Sequence, residues 1–176
     1  MFYASVHDEV ESLVCKYRTR NPFELIDSVP DMKLWITDSF AADGLKGFAT
    51  IQNRTKYIVV NGLLIPEDQV VVAAHELGHI YKHEVRLRAQ PMRDFEVYAA
   101  QGKLEREANF FAADFLISDE QALDEIHSCG ADFFGVAKVL RIPAPFFAFK
   151  LYSLVERGTP MRMPVDLDST FLRAGG

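Results

Sequence analysis

The chain has 176 residues, nearly half of them apolar and 14 of them Phe, the composition of a packed globular protein rather than a disordered one. Its net charge of −6 argues against a broad nucleic-acid face and against binding to an anionic membrane surface. No apolar run reaches the ~20 residues that span a bilayer, and the N-terminal stretch lacks the basic and long apolar regions of a signal peptide, so a cytoplasmic protein is expected.

Val6, Val10, Leu13, Val14 and Tyr17 recur at helical spacing and predict a first amphipathic helix that ends near Asn21-Pro22. A short helix follows in 22–26, with Asn21 as its cap and Pro22 in its first turn. Three β-like runs come next, at 32–37, 46–51 and 56–60. The short polar link Asn53-Arg54-Thr55 predicts a hairpin, and hence a small antiparallel three-stranded sheet. Ile65-Pro66-Glu67-Asp68 starts a helix that should reach about residue 83: proline early, then two carboxylates at the positive helix end. Residues 85–103 form a mixed connection with Pro91 as a breaker.

Further helices are expected at 104–117, 119–128, 132–140 and 145–157, with an extended tail after Gly158. The expected architecture is one α+β domain over 1–176, ending in a helical pair at 132–157 with the outline of a helix-turn-helix. Cys15 and Cys129 lack metal-ligand spacing and read as two buried free thiols of a reducing compartment.

Inside the 66–83 helix stands His75-Glu76-Leu77-Gly78-His79. A helix turns every ~3.6 residues, so His75 and His79 share a face and can offer two imidazole nitrogens to one cation. Glu76, about 100° round, can reach a water there without ligating tightly. A catalytic zinc usually has three protein ligands and an open position, so a third is needed. His83 continues the spacing, but a third turn of a straight helix points past the shared cation, and a helix-end role suits it better. A histidine six residues beyond the pentapeptide is absent, since position 85 is Val.

The remaining candidates are Glu84, Asp94, Glu96, Glu105, Glu107 and Asp114. A wheel over 104–117 puts Leu104, Ala108, Phe111, Ala112, Phe115 and Leu116 on a core-facing arc. Glu105 and Asn109 lie on its edge, while Arg106, Glu107 and Asp114 fall on the opposite side, where solvent is expected. Phe110 falls outside the apolar arc. An inward carboxylate is costly unless paired or metal-bound, which selects Glu105 as third ligand and Asn109 as the group steadying a ligand from behind. Tyr81, Arg93 and Tyr98 carry donors able to stabilise an oxyanion, and equally read as packing or surface groups.

The stretches Ala74-His75-Glu76-Leu77-Gly78-His79 and Leu104-Glu105-Arg106-Glu107-Ala108-Asn109-Phe110-Phe111-Ala112-Ala113 together resemble the ImmA/IrrE family of metallopeptidases. Asn21-Pro22-Phe23-Glu24-Leu25-Ile26 and Tyr57-Ile58-Val59-Val60-Asn61 extend the likeness over most of 17–157. One departure is Ser118, where many relatives have proline. The resemblance implies a gluzincin-like site: His75, His79 and Glu105 hold one Zn2+ per chain and Glu76 is the base. It also implies a protein substrate, a helix-turn-helix repressor encoded nearby on a prophage or other mobile element. The rival readings are a non-catalytic zinc-stabilised sensor or adaptor, and another zinc hydrolase. The 145–154 segment has one cation and much aromatic surface, so packing or protein docking is expected there rather than direct nucleic-acid binding.

Overall fold

The computed structural model describes residues 2–41, 44–89, 92–94, 102–130, 132–161 and 163. The elements run α1 (Phe2–Tyr17), α2 (Pro22–Ser28), β1 (Met32–Thr37), β2 (Gly47–Gln52), β3 (Thr55–Asn61), α3 (Pro66–Lys82), α4 (Glu84–Ala89), β4 (Met92–Asp94), α5 (Lys103–Leu116), α6 (Asp119–Ser128), α7 (Phe133–Val139) and α8 (Ala144–Glu156). The α+β class expected from the sequence is the class the chain adopts.

Local chemistry explains the helix starts. Asn21 Oδ1 accepts from the Phe23 amide at 2.9 Å, Ser118 Oγ from Gln121 at 3.0 Å and Asp132 Oδ2 from Gly135 at 3.1 Å. Ser118, the departure from the family pattern, thus caps α6. Pro66 opens α3, with Glu67 and Asp68 in its first turn.

The strands are ordered β1-β3-β2-β4. β2 and β3 form the expected hairpin, turned by Asn53 (φ 48°) and Arg54 (φ 67°), the left-handed pair that suits strand twist. The expected purely antiparallel, three-stranded arrangement is corrected at both edges. β1 pairs with β3 in parallel, Leu34 beside Ile58, and β4 adds a fourth strand beside β2. β1 and β2, consecutive in the chain, are not neighbours in the sheet, because β3 lies between them. Asn61, buried at the end of β3, fastens the link between β1 and β2 by donating Nδ2 to the carbonyls of Ala41 and Leu45. The connection expected over 85–103 holds α4, β4 and the start of α5; residues 90, 91 and 95–101 lie outside the described residues, as does most of the tail after Gly158.

α3 lies on the sheet, with Val71, Val72, Ala74 and Leu77 in one core with Ala49, Ile58 and Val60. α5 is covered on two faces. Phe111 stacks on Tyr81 of α3 with ring centres 5.6 Å apart, and Phe110 meets Phe149 of α8 edge-on at 5.4 Å. Each such buried ring stabilises the fold by roughly 1.5–3 kcal/mol. A one-faced wheel therefore misplaced residues on the far side of α5: Phe110 has its partner on α8, and Asp114 is fully buried instead of solvated. Asp114 accepts from Lys150 Nζ and Ser153 Oγ, both at 2.8 Å. Burial of that carboxylate follows from the charge that α8 brings to it.

A second apolar cluster, around Ile117, Ala122, Val136, Phe147 and Leu151, joins α6, α7 and α8. The α7–turn–α8 outline is present, but α8 buries Phe146, Phe147, Phe149, Lys150, Leu151 and Leu154 and so serves as a core helix. Both cysteines are free, and Cys15 is exposed on α1 rather than buried. No helix of the described residues is long and apolar enough to cross a membrane.

Candidate metal centre

The last two turns of α3 carry His75 and His79, both fully buried, with ring nitrogens Nε2 3.0 Å apart. From the first turn of α5, Glu105 brings Oε2 to 3.3 Å from His75 Nε2 and 3.4 Å from His79 Nε2. Glu105 keeps some access to solvent, its side chain being 24% exposed. Three donor atoms of the type zinc prefers thus converge on one point. Ligand atoms held ~2.0–2.1 Å from a tetrahedral ion stand about 3.3–3.4 Å apart. The two separations from Glu105 match this, and the 3.0 Å between the imidazoles is somewhat shorter.

Each imidazole is held from behind. His75 Nδ1 lies 2.9 Å from Asn109 Oδ1, and an amide oxygen can only accept, so His75 donates from Nδ1 and leaves Nε2 as a lone-pair donor. His79 Nδ1 lies 3.0 Å from His83 Nδ1. His83 is the C-terminal cap of α3, and its Nε2 lies 2.9 Å from Glu107 Oε2. Burial pushes the His83 imidazole below its ordinary pKa, against the opposing pull of Glu107. Glu107 is therefore not the solvated residue expected from the wheel. Its side chain is 13% exposed and pinned to the end of α3.

Glu76 is fully buried where α3 meets β2. A β-carbon on Gly47 would stand 2.5 Å from Val72 Cγ1 and 3.1 Å from Glu76 Oε1. Only glycine lets the strand approach α3 this closely. Tyr81 lies elsewhere, against Phe111, with burial first and the charges of its surroundings second pushing its hydroxyl up to about 12. That position removes it from the candidate oxyanion donors. The side chains of Arg93 and Tyr98 lie outside the described residues. Sequence reasoning did not pair His83 with Glu107 or assign a role to Gly47. The HxxxHxxxH spacing and the Glu-x-Glu of α5 were the available signals.

A second acidic cluster, His7, Asp114 and Asp119, has the spacing of a cation site but already contains its cations. Lys150 Nζ lies 2.8 Å from Asp114 and 2.6 Å from Asp119, and Arg157 grips Asp119 through two bonds of 2.7 Å. The network ties α5 and α6 to α8.

Residues 31–152, which include both helices of the site, match the Peptidase_M78 family, described as the IrrE N-terminal-like domain. The chain belongs to this family. The resemblance to ImmA/IrrE proteins is thereby borne out, and with it a function of the metallopeptidase type. The chain is also 32% identical over 117 residues to the uncharacterized immunity region protein 2 of Bacillus phage phi105, covering 66% of this chain and 71% of that protein. No solved structure is significantly similar.

Proposed function

We propose that this Peptidase_M78 protein is a zinc-dependent endopeptidase that cleaves one specific protein partner, a helix-turn-helix transcriptional repressor, in the cytoplasm. The observation that carries the reading is the convergence of His75 Nε2, His79 Nε2 and Glu105 Oε2, with Glu76 buried on the same helix. His75, His79 and Glu105 would hold the ion. Bound there, zinc supplies Lewis acidity that polarises a scissile carbonyl and makes water a better acid.

Glu76 then acts as the base: it takes a proton from the attacking water and passes it to the departing amine. Asn109 keeps the His75 ring turned towards the site. The whole of 1–176 acts as one domain, with the 132–157 element as its C-terminal helical part. The buried state of α8 supports a packing or protein-docking use for that element over direct reading of DNA. A relative named for a phage immunity region supports a regulator as the partner.

The test is co-expression of the chain with a helix-turn-helix repressor encoded beside it, in parallel with the Glu76→Gln variant. Site-specific repressor fragments are expected with the unaltered chain and not with the variant. A repressor left whole, or displaced equally well by the variant, would instead point to the adaptor.

A further inference from the structure

His83 sits where α3 stops, its backbone amide bonded to the His79 carbonyl at 2.9 Å and its side chain 4% exposed. Its two ring nitrogens face different partners. Nε2 meets Glu107 Oε2 at 2.9 Å and Nδ1 meets His79 Nδ1 at 3.0 Å. A carboxylate oxygen beside a ring nitrogen is the acceptor, so His83 carries a proton on Nε2, facing Glu107. A His79 that ligates through Nε2 carries its own proton on Nδ1, and the contact between the two Nδ1 atoms then has one sense: His79 donates to His83. A proton on His79 Nδ1 leaves Nε2 with its lone pair directed at His75 and Glu105.

We infer that Glu107 and His83 are positioning residues that, through this relay, set the tautomer and ring orientation of His79 for metal binding. The inference rests on the zinc reading of the site and deepens it. The two ligand imidazoles are served differently: His75 by the neutral amide of Asn109, His79 by a chain that ends in a negative charge. A carboxylate at the end of such a chain makes the ligand nitrogen more basic, which a neutral amide does less. A purely structural tie between the end of α3 and α5 would change the stability of the chain and leave the zinc affinity of the folded protein alone. Zinc affinity measured on folded variants therefore separates the two roles.

Two measurements on the full chain test it: zinc affinity by competition with a chelator, and ring protonation from two-bond proton–nitrogen correlation spectra. The spectra should place the proton on Nδ1 of His79 and on Nε2 of His83, with or without zinc. Glu107→Leu and His83→Phe should each weaken zinc binding by about 10–100-fold. Glu107→Gln keeps a carbonyl oxygen as acceptor but loses the charge, and should bind zinc with an affinity between those of the unaltered chain and Glu107→Leu.

A proton found on His83 Nδ1, or unchanged zinc affinity in both Glu107→Leu and His83→Phe, overturns the relay alone. An unaltered chain that takes up no zinc overturns the metal reading and this inference with it. Should the leucine and phenylalanine variants fail to fold, the unaltered chain's spectra and the weakened zinc binding of Glu107→Gln decide the matter: an unchanged affinity there overturns the relay.

Discussion

Gly78 and Ala108 bring α3 and α5 together backbone to backbone: a β-carbon on Gly78 would stand 2.8 Å from the Ala108 Cα and 2.9 Å from its carbonyl oxygen. The contact lies between the histidines of α3 and the Glu105 and Asn109 of α5 that face them. The glycine inside the pentapeptide is thus explained by close packing, at a conformational cost of roughly 0.5–1 kcal/mol relative to alanine.

Gly78→Ala should therefore destabilise the chain in spite of its better helix propensity. Overpacking against a neighbouring backbone costs about 1–3 kcal/mol, more than propensity returns. Spreading the helices should also weaken zinc binding, on the order of tenfold. Thermal unfolding of the metal-free chain and chelator competition measure the two effects separately. Unchanged values in both would mean that the helices can part freely.

Elemental analysis of purified chain should find one zinc per molecule, two imidazoles and a carboxylate being a donor set that suits it. Glu105→Gln should lose most of the metal, because the amide brings no charge to the point where the two Nε2 atoms meet. Glu107→Gln should lose far less, since that side chain acts on the site only through His83. Equal loss from both changes would move the third ligand away from Glu105.

Glu76→Gln should retain both zinc and fold while cleavage of the partner falls by roughly 10²–10⁴-fold, the usual range for a lost general base. The amide matches the carboxylate in shape but cannot take a proton from water. Circular dichroism and metal content check the first half of this expectation, and gel analysis of the partner checks the second. Undiminished cleavage would remove Glu76 from the chemistry.

The Asp119 carboxyl is raised by its burial, but the hydrogen bonds and charges of Arg157 and Lys150 outweigh that and hold it well below its ordinary value of 3.8. A depressed folded pKa contributes stability that is complete above the unfolded value and disappears as pH falls through the folded one. Denaturant unfolding should therefore show a loss of stability that begins near pH 4 and grows on further acidification. Asp119→Asn should lower stability at neutral pH by about 2 kcal/mol and flatten this acid limb. An acid limb of unaltered slope in the variant would assign it to other carboxylates.

Much of this molecule is written locally. Asn21, Ser118 and Asp132 cap the helices they precede, Pro66 with two carboxylates starts α3, and the Asn53-Arg54 turn closes the hairpin. Each is decided within a turn or two by backbone dihedrals and orphan amides, so the residues on the spot suffice. The four-residue spacing of His75 and His79, and the place of Glu105 on the inward edge of α5, are legible for the same reason.

What lies beyond one helix face is not. β1 runs parallel to β3 because β3 inserts between β1 and β2, which no strand pattern records. Asp114 is buried because Lys150, 36 residues later, arrives with a charge. Glu107 turns inward because His83 ends α3 within reach. A wheel ranks the faces of a helix by their own polarity, whereas the cost of burying a carboxylate depends on the partner that meets it. That partner is supplied by a different helix in each case, and only the tertiary structure brings it there.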